Sequence, residues 1–206
     1  MSFQWAIDNA EQLTINTKAV IGRTQSRDGT VRQTSRGASL WTFDVTMPNG
    51  IPWATARQYI EAVEGIYNTG ASSTIQISDT GQTSWLNKYQ GTAANYTGFV
   101  ASWTQGNSSI TLTTTPTIGT GVKFRAGDLI QLKSTGRVYK VAADVAYNSN
   151  TVTLTRAIID ATSSGSLVIG PNVTWTVYCI QLPTVTLIAR DQVGFSSPYT
   201  FVEALA

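Results

Sequence analysis

The 206-residue chain has no histidine, one cysteine, and charge on only 13% of its side chains. Each shortage excludes a class of chemistry. Without imidazole there is no Ser-His-Asp or Cys-His nucleophile pair, no imidazole metal ligand and no side chain that ordinarily titrates near neutrality. One cysteine allows no disulfide within the chain. Cys179 lies inside the apolar run Val177-Tyr178-Cys179-Ile180 and reads as a small buried hydrophobe, not a nucleophile. No apolar run approaches the roughly 20 residues needed to cross a bilayer. The opening residues Met1-Ser2-Phe3-Gln4-Trp5 lack both the basic region and the apolar block of a secretory leader. The expectation is a protein made in a cytoplasm that needs no membrane. The Asn-x-Ser/Thr triplets at Asn95, Asn107 and Asn172 then read as chance in a Thr-rich sequence.

What is present is material for a core: 42% apolar residues, with six Trp, eight Tyr and six Phe, which argues against disorder and allows one compact domain or two small ones. The formal charge of +2 is spread thinly. Arg23, Arg27, Arg32 and Arg36 form the one basic stretch, interrupted by Asp28. A nucleic-acid surface needs a denser patch with base-stacking aromatics, so this stretch reads as a solvated or subunit-facing loop.

Leu13, Ile15, Thr17 and Ala19 alternate with polar neighbours, and Leu40 to Thr46 alternates more clearly; both read as strands. Between them, polar residues 22–37 contain Asp28-Gly29, a turn signal that closes an extended hairpin with an exposed tip. Met47 to Pro52 breaks the sheet with two prolines and a glycine. Trp53 to Glu64 then carries Ala56, Tyr59, Ile60 and Val63 at helical spacing, with Gly65 as the expected stop. Ser73 to Ser78 reads as a strand, followed by an irregular connection to about Asn95.

Closely spaced β units follow. Residues 99–103 and 109–113 flank a turn at Gly106-Asn107, and further strands are expected over 127–132, 138–141 and 151–158. Such strands, with no helical period among them, make a small barrel or sandwich of about 70 residues. It reads as an insertion, because Val173 to Leu182 and Thr184 to Ala189, joined at Pro183, still follow as a closing hairpin, and Tyr199 to Glu203 as a last strand. The expected division is residues 1–95 plus 171–206, with a helix over 53–64, and an inserted module over 96–170.

Candidate chemistry is thin. Ala126-Gly127-Asp128 lacks the lysine and further glycines of a phosphate cradle and reads as a turn into a strand. Glu61 and Glu64 sit on the polar side of one helix, with no histidine or third carboxylate near in sequence, and read as a wet face. Asp128, Asp144, Asp160 and Asp191 occupy separate turns, and acid–base work would require two of them to converge. No enzyme activity, cofactor or metal is expected. Trp85 and Tyr89 in the irregular connection, and Trp5 near the N-terminus, are the aromatic candidates for an interface.

The order of elements resembles structural proteins of tailed-phage tails: the tail-tube fold and its distal-tail and baseplate-hub relatives. The residues that carry the resemblance are 37–45 (Gly-Ala-Ser-Leu-Trp-Thr-Phe-Asp-Val), 56–61 (Ala-Arg-Gln-Tyr-Ile-Glu), 126–131 (Ala-Gly-Asp-Leu-Ile-Gln) and the closing stretch from Pro183 to Glu203. The resemblance covers most of the chain by order of elements and rests on no specific motif. It implies a mainly β, tail-tube-like antiparallel β-sandwich with one flanking α-helix and an inserted small β-barrel module. It further implies a virion protein forming a homo-oligomeric, hexameric ring, contacting other phage tail proteins around a channel through which DNA passes without specific binding. The inserted module, absent from a plain tube subunit, directs the expectation to the tail tip, distal tail or baseplate. The candidate subunit interface is Arg23, Arg27, Asp28, Arg32, Arg36, Trp85 and Tyr89. The alternative is a carbohydrate- or receptor-binding β module of a tail fibre that stacks ligand on Trp85, Tyr89, Trp103 or Tyr147.

Overall fold

The computed structural model describes residues 2–18, 21–27, 29–35, 39–77, 84–117, 119–133, 136–188 and 190–204. The fold is mainly β, with antiparallel sheets and one long helix. In chain order it runs helix α1 (Ser2–Asp8), strands β1 (Gln12–Lys18), β2 (Ile21–Gln25), β3 (Val31–Ser35), β4 (Leu40–Thr46) and β5 (Ile51–Pro52), helix α2 (Trp53–Thr69), and β6 (Ser73–Gln76). There follow β7 (Val100–Trp103), β8 (Ser109–Thr114), β9 (Val122–Phe124), β10 (Leu129–Leu132), β11 (Val138–Lys140), β12 (Val145–Ala146), β13 (Thr151–Thr153) and β14 (Ser163–Ile169). The chain closes with β15 (Thr174–Gln181), β16 (Val185–Ile188), β17 (Gln192–Phe195) and β18 (Tyr199–Glu203).

The first sheet has the order β1-β4-β18-β15-β6. Alternation sends Trp41, Phe43, Val45, Trp175, Val177, Tyr199 and Phe201 to one face, where all are buried. The helices cover that face. Phe3 of α1 packs on Phe201 with ring centroids 4.9 Å apart, and Trp5 stacks on Tyr59 of α2 at 5.0 Å. Trp5 is therefore a core residue and not the loose-terminus interface candidate that sequence position implies. Phe3, Ala6, Ile7 and Ala10 form a short helical stripe too brief to stand out beside a terminus. The Gln4 amide also meets the backbone of edge strand β6, donating to the Gln76 carbonyl at 2.9 Å and accepting its N–H at 2.8 Å.

Helix α2 buries Ala56, Ile60 and Val63 and extends past Gly65 to Thr69, four residues beyond the expected stop. The half-buried Ile66 continues the apolar stripe against the core, and that packing outweighs the roughly 1 kcal/mol helical cost of one glycine. Gly70 ends the helix instead, at φ 65°, with its N–H turned back to the carbonyls of Ile66 and Tyr67.

The expected closing hairpin across Pro183 does not form. Strand β15 is paired on both sides, by β18 and β6, so β16 has no place beside it and pairs with β17 in a separate sheet of order β16-β17-β5. Arg190 and Asp191 both adopt positive φ at that turn, the geometry that matches strand twist in a tight hairpin.

The second large sheet has the order β11-β10-β14-β7-β8-β13. Its outer strands meet at a Val141–Leu154 bridge, flanked by bonds from Ala142 N–H to the Thr153 carbonyl and from Thr155 N–H to the Lys140 carbonyl. The sheet thus curls onto itself around Phe99, Phe124, Ile130, Tyr139, Val152 and their neighbours. Strand β14, not apparent as a strand in the sequence because Ser163-Ser164-Gly165-Ser166 carries little β signal, is the central strand between β7 and β10.

Candidate functional site

The two halves meet at a buried ion pair. Arg156, just after β13, donates to both carboxylate oxygens of Glu203 at 2.7 and 2.8 Å, to the Val138 carbonyl at 2.7 Å and to the Ser39 carbonyl. Both side chains are almost wholly inaccessible. Trp41 adds its indole N–H to the Val138 carbonyl at 3.0 Å. These contacts hold the chain at Ser39, immediately before β4, between the two sheets. The hairpin that continues β1 and β4 springs from that point.

The pairing of that hairpin runs from Gln12↔Thr46 to Lys18↔Leu40, then resumes from Ile21↔Ser35 to Gln25↔Val31. Beyond the sheet, β2 and β3 bond to each other and to no other strand among the described residues. The turn is closed by Ser26 N–H to the Thr30 carbonyl and by Gly29 N–H to the Ser26 carbonyl, both at 2.9 Å, with Gly29 at φ 88°. Thr24 to Arg27 and Gly29 to Val31 are exposed, Val31 to 59%. The expected extended hairpin with an exposed tip is thus an arm. At about 3.3 Å per residue its five-residue strands are roughly 17 Å long. Arg27 stands on its tip; Arg23 and Arg32 occupy β2 and β3; Asp28 and Arg36 lie outside the described residues.

The other aromatic candidates separate. Tyr89 is 91% exposed at positive φ and belongs to the surface. Trp85 begins a short 3-10 turn over Ser84–Asn87. Trp103 is 5% exposed, bonds the Ala161 carbonyl and has Lys133 Nζ 5.5 Å from its ring centre, so it presents no open face for ligand stacking. Tyr147 is half exposed.

A larger exposed apolar set escaped sequence reasoning: Leu187, 67% exposed, and Ile188 on edge strand β16, with Tyr178 and Ile180 on β15. The β15 pair projects from the sheet face opposite the helices. That face also carries Thr14, Asn16, Thr176, Thr200 and Val202 and the buried Thr42, with Asp44 as its acid, accepting from Thr200 Oγ1 at 2.8 Å. It is a weakly charged, hydroxyl-rich wall.

No family model and no curated protein sequence matches the chain. The site is therefore read from its geometry.

Three of the four turn aspartates accept hydrogen bonds within the fold. Asp128 accepts from Gly91 and Arg125 N–H at 3.0 and 2.8 Å, while Asp144 accepts from Ala126 at 2.8 Å, so two of the four turn aspartates do converge on one turn. Burial pushes the Asp128 carboxyl above its ordinary range despite those bonds. Asp160 instead receives Tyr139 Oη–H at 2.6 Å and Arg137 N–H. Burial also lowers the Lys123 ammonium, whose Nζ donates to the Ser149 carbonyl. Cys179 is pushed up to about 11 by burial, the opposite of what a thiolate nucleophile requires. Among the described residues no three Cys, Asp or Glu side chains group as a metal site, and no helix is long and apolar enough to cross a membrane.

Proposed function

We propose that the chain is a structural component of a tailed-phage virion tail, at the tail tip, distal tail or baseplate. In this reading copies associate into a ring around the DNA channel and connect the tail tube to other tail proteins. The observation that carries the reading is the arm formed by β2 and β3. The chain is held at Ser39 by the Arg156–Glu203 pair, and β2 and β3 form a ribbon that pairs with no other strand among the described residues. A projecting ribbon gains little within its own chain and becomes useful when it spans to another molecule. The weakly charged outer face of the first sheet supports the same reading, since a channel wall that carries few cations does not grip phosphate. The inserted barrel is then the feature that distinguishes this subunit from a plain tube protein.

Light scattering across a range of concentrations, with negative-stain images of the same fractions and of mixtures with tube subunits, tests the proposal. A closed ring with a central hole is expected. A monomer that neither closes alone nor joins the tube contradicts it.

A further inference from the structure

The arm and the helix layer carry opposite and equal charge. Residues 21–35 hold three arginines and one aspartate, a net of +2, while helices α1 and α2 hold Asp8, Glu61 and Glu64 against Arg57, a net of −2. The remainder of the chain therefore carries the whole formal charge of +2. Most other carboxylates are committed inside the fold: Asp44, Asp128, Asp144, Asp160 and Glu203 all accept hydrogen bonds within the chain. The carboxylates of Glu61 and Glu64, by contrast, are exposed and make no hydrogen bond or ion pair among the described residues.

Arg27 is exposed, without an acid partner among the described residues, and the arm leaves the sheet at the Lys18/Leu40 end, whereas the helices lie across the sheet face. Resting on the ring reading above, we propose that the arm of one copy docks on the α1/α2 layer of a second copy, through its arginines and the carboxylates Glu61 and Glu64. Complementary charge steers encounter and fixes register, and repels a copy that approaches arm to arm.

The test is a charge exchange in the full chain. Arg27→Glu with Arg32→Glu reverses the arm, Glu61→Arg with Glu64→Arg reverses the helix layer, and a third protein carries all four changes. Association is followed by sedimentation at two salt concentrations, with circular dichroism as the check on folding and the milder Gln substitutions as a second set. Each single reversal is expected to weaken association about tenfold or more, and the combined protein to recover it, with added salt weakening the wild type. Wild-type rings that ignore every reversal, or loss that the combined protein does not repair, overturn the docking while leaving the ring reading in place. A wild type that never associates overturns both. Retention of duplex DNA that depends on Arg27 and Arg32, with self-association unchanged, assigns the arm to nucleic acid and also overturns the proposal.

Discussion

The two large sheets dispose of their edges in opposite ways. The six-stranded sheet curls until β11 and β13 meet at the Val141–Leu154 bridge, so its outer strands find partners inside the module. The five-stranded sheet stays open. Its β6 edge is met at Gln76 by the Gln4 side chain, but among the described residues β1 pairs only with β4. One half is closed around its own core. The other buries one face under helices and leaves a face, an edge and an arm for neighbours. Closure or openness of edges, more than composition, separates a self-contained module from one suited to assembly.

The contrast is broken most severely at the joint. Arg156→Ala leaves the Glu203 carboxylate buried without its partner and is expected to cost about 3–5 kcal/mol in urea unfolding, and to release the arm root at Ser39. Replacing both with apolar residues of similar volume is expected to recover most of that stability. A similar loss is expected from Phe201→Ala in the first core, about 3–5 kcal/mol. Leu154→Ala in the barrel costs about 2–5 kcal/mol and, unlike Phe201→Ala, speeds amide exchange along β11 and β13. Gly91→Ala is a smaller steric probe of the barrel. Its methyl group would lie 2.4 Å from the Lys123 carbonyl oxygen, so a loss of about 1–3 kcal/mol is expected by thermal unfolding.

Cys179 gives a pH signature of the open sheet's core. Its pKa is raised in the folded protein, so its contribution to stability is intact below the ordinary thiol value and is lost as pH rises toward about 11. Alkylation of the folded protein at about pH 8 should run about a hundredfold slower than that of an unshifted thiol, and unfolding should remove the difference. The smallest effect belongs to the surface: Glu61→Gln should change unfolding stability by less than about 0.5 kcal/mol, because the exposed carboxylate makes no hydrogen bond or ion pair among the described residues.

Sequence periodicity reveals the elements with strong local signals. Leu40 to Thr46 alternates, Trp53 to Val63 keeps a helical stripe, and Asp28-Gly29 marks the turn of the arm. Features set by distant partners do not show. Nothing near Ser163 marks β14, which exists because β7 and β10 flank it. Pro183 separates two strands but does not reveal that β15 is already paired on both sides. Among interface candidates, the exposure of Arg27 and Tyr89 is legible from turn chemistry and irregularity. The exposed Leu187 and Ile188 are not, because an apolar strand reads as core until its place at a sheet edge is known.

Amide hydrogen exchange, compared between dilute and concentrated protein, tests the central claim most directly. Selective protection of β1 and of the β2–β3 arm upon association, with β7, β8 and β13 unchanged, is the predicted result. Protection concentrated on the barrel strands, or no concentration dependence anywhere, would contradict it.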